Sequence, residues 1–297
     1  MEFWRRAVNP WNQEVLIGIS WDLMWIAIIA GVGFVVLHVI WARWLVSPSH
    51  KPSDNLNLGL PSRILRHAMT ERVFHWSMAL VMFVLLVTAF FPILGIQFAW
   101  VTIHWVAGII LTALIIYHII HAIFWQDLWA MWIDRTDIKS GVVELKHIFG
   151  GDGPDNPTAG KYPIDHKLFH HAAAVASLVA IVTGILMMLR LETPFWEANL
   201  YLLTDSLWGL VYVLHGLSGV GLVTLTITHI YFAIRPDKWW ITKSMIYGWI
   251  PRIEYLGNHD PQRWVVTANE EEEMISTVSG GTDLSGGNVN LDSKTSS

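Results

Sequence analysis

Residues 214–234 read L-H-G-L-S-G-V-G-L-V-T-L-T-I-T-H-I-Y-F-A-I. The run carries no Asp, Glu, Lys or Arg and is long enough to cross a bilayer, which takes about 20 residues. It carries His215 and His229, 14 residues apart. On an α-helix, 14 residues turn about 1400°, within about 40° of the starting face, and rise about 21 Å. One helix therefore presents two imidazoles on one stripe, one near each side of a membrane. Histidine at membrane depth is costly and marks function by default.

The same spacing recurs in a second apolar run, where His104 and His118 are also 14 apart. Apolar segments near 22–46, 73–94, 101–124, 168–190 and 207–234 are each long enough to span. The chain of 297 residues is 53% hydrophobic and only 14% charged, against about 25% charged in soluble domains. The predicted fold class is all-α, a polytopic transmembrane helix bundle. Three parts are expected: 1–62, an interfacial segment, an extra transmembrane helix and a linker; 63–265, a core of four spanning helices; and 266–297, an acidic, Ser- and Gly-rich disordered tail. The lead with Trp4, Arg5, Arg6 and Trp11 reads as amphipathic and interfacial. Residues 125–167 read as a polar loop with Gly150, Gly151, Gly153, Pro154 and Pro157.

Basic residues set the orientation. With the N-terminus outside, 16 of the 19 Lys and Arg fall inside, leaving Arg5, Arg6 and Arg190 outside. The predicted location is a prokaryotic inner membrane, with the C-terminus cytoplasmic. No basic patch argues for nucleic acid; membrane lipid is the expected surrounding.

The chain has 14 histidines and no cysteine. That excludes disulfides, iron–sulfur clusters, zinc–thiolate sites and covalent c-type haem, and leaves imidazole as the metal ligand. With antiparallel neighbours, His75 and His229 share the inner level and His104 and His215 the outer. Two bis-histidine sites follow, at the separation two haems stacked across a bilayer need. Small residues beside the ligands, Gly108, Gly216, Gly219 and Gly221, suit a flat porphyrin but equally suit close helix packing. Arg72, one turn before His75, is a candidate for an inner haem propionate. His50, His67, His147 and His259 lie in polar connections, where a surface role is favoured.

The segments E-R-V-F-H-W (71–76), I-H-W-V-A-G (103–108), G-K-Y-x4-K (160–167), L-H-G-L-S-G (214–219) with T-H-I-Y (228–231), and N-H-D-P-Q-R-W (258–264) resemble the cytochrome b (gamma) subunits of respiratory formate dehydrogenase. The wider family is the dihaem membrane cytochromes b. The resemblance covers roughly residues 63–265. It implies a four-helix core with two haems b, His75 and His229 on the inner and His104 and His215 on the outer. It also implies a quinone site beside the inner haem at Tyr162, Asp165, His166 and Lys167, and a periplasmic-side electron-transfer or catalytic partner with iron–sulfur or multihaem centres. The chain is then an electron-transfer subunit rather than a stand-alone enzyme. It departs from the family pattern in its first helix, which contains His38, and after G-K-Y, where P-I-D-H-K replaces the usual Asn, Gly and Gln.

His118 is additional. It could replace His75 as partner of His229, or join His171 or His170 in a third haem or at the quinone site. Two further readings remain open at this point: a relay to a periplasmic multihaem cytochrome without a quinone site, and a transporter with intramembrane histidines.

Overall fold

The computed structural model describes residues 2–44, 60–148 and 159–266, with the backbone alone at 144, 145, 147 and 148. His50, the loop glycines and prolines at 150–157, and the tail from 267 lie outside the described residues.

The chain begins as an antiparallel hairpin, β1 (Trp4–Val8) and β2 (Glu14–Ile19). The interfacial lead is thus a β-ribbon. Its turn is made by Asn9, whose side chain accepts from the backbone N–H of Trp11 and Gln13, and by Asn12 in the left-handed region at φ 60°. Asn and Gly tolerate that region best. Helix α1 (Trp21–Trp44) follows. A short strand β3 (Arg63–Leu65) leads into α2 (Met69–Phe90) and then α3 (Trp100–Trp125).

The stretch read as a polar loop contains α4 (Leu128–Met131) and α5 (Arg135–Ile148). Asp127 caps α4, accepting from the N–H of Trp129 and Ala130. The remaining long helices are α6 (Ile164–Met188) and α7 (Asp205–Ile234). After them come α8 (Trp239–Tyr247), β4 (Trp249–Pro251), which pairs with β3, and α9 (Arg252–Asn258).

Among the described residues, five helices are long and apolar enough to span a membrane, α1, α2, α3, α6 and α7. The chain is a multi-pass membrane helix bundle. Its outward side chains, such as Leu80, Phe83, Phe124 and Val175, are exposed, as lipid-facing positions must be. Helix α2 packs along α3, and α6 along α7, whereas α2 with α7 and α3 with α6 touch little. Two tight helix pairs therefore face one another across a slot.

The hairpin and α1 both pack on α7. Close approach requires glycine here: a Cβ on Gly209 would lie 2.8 Å from Leu16, and one on Gly216 would lie 2.8 Å from Ile19. Further along, Thr224 donates to the Ala27 carbonyl and the Nδ1 of His38 lies 2.9 Å from the Tyr231 hydroxyl. At the other end a cap closes the bundle. Ile64, Ile250, Tyr255 and Trp264 form its buried core, and the backbone N–H groups of Arg66 and His67 donate to the Gly248 carbonyl.

One buried ionic cluster joins the cap to α5 and α6. The Lys167 ammonium, 4% exposed, donates to Asp137 at 2.6 Å and to the Trp132 carbonyl at 2.9 Å. Arg263 donates to the other Asp137 oxygen at 2.8 Å. Burial pushes the Asp137 carboxyl up, but the bonds from Lys167 and Arg263 outweigh it and hold the carboxyl below its usual range. Its contribution to stability is therefore present at neutral pH and is lost as pH falls below about 4. Asp137→Asn strands a buried ammonium and is expected to cost about 3–5 kcal/mol, seen as a large drop in thermal stability in detergent. Asp137→Leu with Lys167→Met should recover most of it; a single substitution without effect would show that the cluster is not structural.

Candidate haem slot

The slot between the helix pairs is lined with imidazoles. His75 on α2 faces His229 on α7, with ring centres 6.2 Å apart and planes at 54°. Toward the hairpin end, His104 on α3 faces His215 on α7, also at 6.2 Å and at 75°. An iron bound to an imidazole nitrogen at about 2 Å on each side holds two ring centres about 6 Å apart. A direct hydrogen bond between two imidazoles would bring the centres to about 5 Å. The observed separation suits a metal between the rings.

The orientation of two of these rings is fixed by threonines. Thr88 on α2 lies 2.8 Å from Nδ1 of His104, and Thr183 on α6 lies 3.0 Å from Nδ1 of His215. Each threonine hydroxyl also lies within bonding distance of carbonyls in its own preceding turn, leaving its lone pair for the imidazole N–H. Nε2 is then the nitrogen available to a metal, the arrangement that outer partners impose on histidine ligands. Sequence reasoning missed both threonines. The signal was available: each stands 13 residues after a histidine, His75 or His170.

The surroundings have room and charge for a porphyrin. A cavity of 720 Å³ opens beside His215 at the hairpin end, with Arg5 on its wall. Gly108 and Gly219, one turn beyond His104 and His215, are half-buried, yet nothing lies within 4 Å of a Cβ built on either. At the cap end, Arg66 is 2% exposed; its Nη2 donates to the Lys161 carbonyl, and its Nε and Nη1 have no hydrogen-bond partner among the described residues. Burial lowers its pKa to about 10, so the guanidinium stays charged at neutral pH. Among the described residues Nε of Arg72 is likewise buried without a partner, whereas the Nδ1–H of His259 donates to the Gly160 carbonyl, which leaves its buried Nε2 an acceptor. Buried donors of this kind are expensive unless satisfied, and a carboxylate such as a haem propionate satisfies them. The two cap-end residues Arg66 and His259 read from sequence as a basic flank and a surface histidine.

The positions expected to form a quinone site separate into two groups. Tyr162 sits beside His67, ring centres 6.2 Å apart, with the Arg66 and Lys161 cations over its ring. Burial pushes the Tyr162 hydroxyl pKa up and the His67 pKa down. His166 lies within electrostatic reach of Arg66, Lys238 and His229. Tyr162 and His166 thus share Arg66 as a neighbour in the cap-end cluster. Asp165 is exposed and accepts from the His166 N–H, and Lys167 is taken up by Asp137.

The additional histidines also resolve. His118 faces His170, not His171, at 6.2 Å. Consecutive helical residues point about 100° apart, and His171 turns instead toward Trp132, its Nδ1 2.7 Å from the Lys167 carbonyl.

A sequence model of the family described as prokaryotic cytochrome b561 matches residues 66–248, a stretch holding both helix pairs and every histidine of the slot. The cytochrome b556 subunit of formate dehydrogenase from Haemophilus influenzae is 25% identical over 249 residues, which cover 76% of this chain and 94% of that protein. With facing imidazoles at iron-binding separation inside a five-helix membrane bundle, the chain belongs to the prokaryotic cytochrome b561 family.

Proposed function

We propose that this chain is the membrane-anchoring, dihaem b-type subunit of a respiratory oxidoreductase complex, linking a partner at the hairpin end to quinone at the cap end. The observation that carries the reading is the pair of facing imidazole sets, one toward each end of the bundle. His75 and His229 hold one haem b, and His104 and His215 the other. Bound haem supplies reversible one-electron chemistry, and two protein ligands leave the iron no open position for oxygen or substrate.

The residues around the slot do the rest. Thr88 and Thr183 hold His104 and His215 in one tautomer. Arg66 and Arg72 bind the carboxylates of the cap-end haem, and Arg5 serves the hairpin end. The apolar walls exclude water. The excess of Lys and Arg supports a cytoplasmic cap end. There His166, within electrostatic reach of both Arg66 and His229, and Tyr162, beside Arg66, border the quinone pocket, with Asp165 at the surface as a proton entry point. The likeness to a formate dehydrogenase subunit supports an assembly in which a partner carries the substrate chemistry and docks on the hairpin end, near Trp100 and Glu192. The transporter reading is weaker, since facing histidine sets at iron-binding separation have no role in it.

Purified protein is expected to show a Soret band and a reduced α-band of b type. His104→Leu and His75→Leu should each remove one haem while leaving the other. A colourless protein overturns the proposal.

Arg66→Gln removes a cation beside the cap-end site. A nearby positive charge favours the reduced state, so the potential of that haem should fall, on the order of 50 mV, while the other is unmoved. An equal shift in both would place Arg66 elsewhere.

Quinol analogues should reduce the protein in single mixing experiments. His166→Ala should slow the step at least tenfold without loss of haem; unchanged rates in His166→Ala and Tyr162→Phe would remove the quinone site from this end and favour the relay reading.

A further inference from the structure

The two helix pairs repeat one pattern. In α2, Phe74-His75 is followed by Thr88; in α6, Phe169-His170 is followed by Thr183, each threonine 13 residues after the histidine. In α3, His104 is followed by Gly108 and His118; in α7, His215 is followed by Gly219 and His229, at the same offsets of 4 and 14.

The contacts repeat as well. Thr88 meets His104, and Thr183 meets His215. Thr88 lies 2.8 Å from the Val84 carbonyl and Thr183 lies 2.6 Å from the Val179 carbonyl, each four residues back. Phe74 stacks on His118 with ring centres 4.4 Å apart, and Phe169 stacks on His229 at 4.9 Å. The sparse contacts obey the same relation, since exchanging α2 with α6 and α3 with α7 carries the α2–α7 gap onto the α3–α6 gap. The bundle therefore has a pseudo-two-fold axis running along its helices.

This operation exchanges His104 with His215, so the hairpin-end site lies on the axis and has no second copy. It carries His75–His229 onto His170–His118. Those two rings face each other at 6.2 Å, the separation found at both other pairs, with planes at 67°. Among the described residues no hydrogen bond joins them, and the distance exceeds the about 5 Å that one would give. Unbonded imidazoles at membrane depth are costly, whereas an iron at about 2 Å from each fits.

We propose that His118 and His170 are the axial ligands of a third haem b, the pseudo-symmetric mate of the one held by His75 and His229. Phe74 and Phe169, each next in sequence to a histidine of one pair and stacked on a histidine of the other, bridge the two cap-end sites. Two such sites at one level give the cap end capacity for two electrons, the number that a quinone takes up with two protons to become quinol.

The inference rests on the haem reading of the slot, and haem counting separates the two. In the full-length protein, a pyridine haemochrome assay is expected to give three haems per chain. His118→Leu and His170→Leu should each give two, with the spectra of the remaining haems unchanged. Because a leucine variant could fail to fold, His170→Met provides a second readout. It should retain three haems, with one showing a sulfur-to-iron charge-transfer band and the raised potential of His/Met ligation. No haem at all overturns the reading of the whole slot. Two haems in the wild-type protein, or three that persist in His118→Leu and His170→Leu, overturn the third site alone.

Discussion

The structure turns on a constraint at membrane depth, where an imidazole must find a partner or cost several kcal/mol. Three facing pairs at one common separation meet it in the same way. The gap is too wide for ring-to-ring hydrogen bonding and too narrow for another helix. It divides the four core helices into two pairs that pack tightly within themselves and barely across. Direct side-chain packing between the pairs would leave the histidines without their common partner. A ligand in the gap would satisfy the rings and supply the apolar contact that the two faces otherwise lack.

The remaining elements stabilise this divided core from outside. The hairpin and α1 lie along α7, which carries a histidine of both the hairpin-end pair and the His75–His229 pair. Their approach is set by Gly209 and Gly216, where a side chain would collide with Leu16 or Ile19. The cap closes the opposite end with a small apolar core and the Asp137 cluster, which fixes the start of α6 and therefore the level of His170. Rigid ends and an open middle suit a bundle whose interior contact is made by a bound group.

Much of this was legible in the sequence because helical periodicity is unambiguous over long apolar runs. The five spans follow from hydropathy, and the 14-residue spacing alone puts His104 with His118, and His215 with His229, on single faces. The hairpin was hidden because Trp4, Arg5 and Arg6 read equally well as an amphipathic helix; the turn depends on Asn9 and Asn12, whose effect is local. The repeat was hidden by unequal connections. Thr88 stands 16 residues before His104, whereas Thr183 stands 32 before His215. Arg66 escaped notice for a different reason: a basic residue beside a spanning helix is the ordinary topology signal, and only burial of unsatisfied donors distinguishes it.

The symmetry of the ligands does not extend to the charges around them. Two residues before Phe74 stands Arg72, and two before Phe169 stands Lys167. These positions are equivalent under the repeat, yet Lys167 is neutralised by Asp137, which Arg263 also binds, while among the described residues Arg72 keeps an unsatisfied Nε and has Arg66, with unsatisfied Nε and Nη1, in the same cap. Cations stabilise a reduced centre, and their influence grows where water is excluded. Ligands of the same kind in unequal fields have unequal electron affinities. On the proposed haem reading, this field would rank the His75–His229 site above its mate, with Arg66 and His166 at the favoured one. A duplicated core thus becomes directional through the surroundings that its two halves do not share.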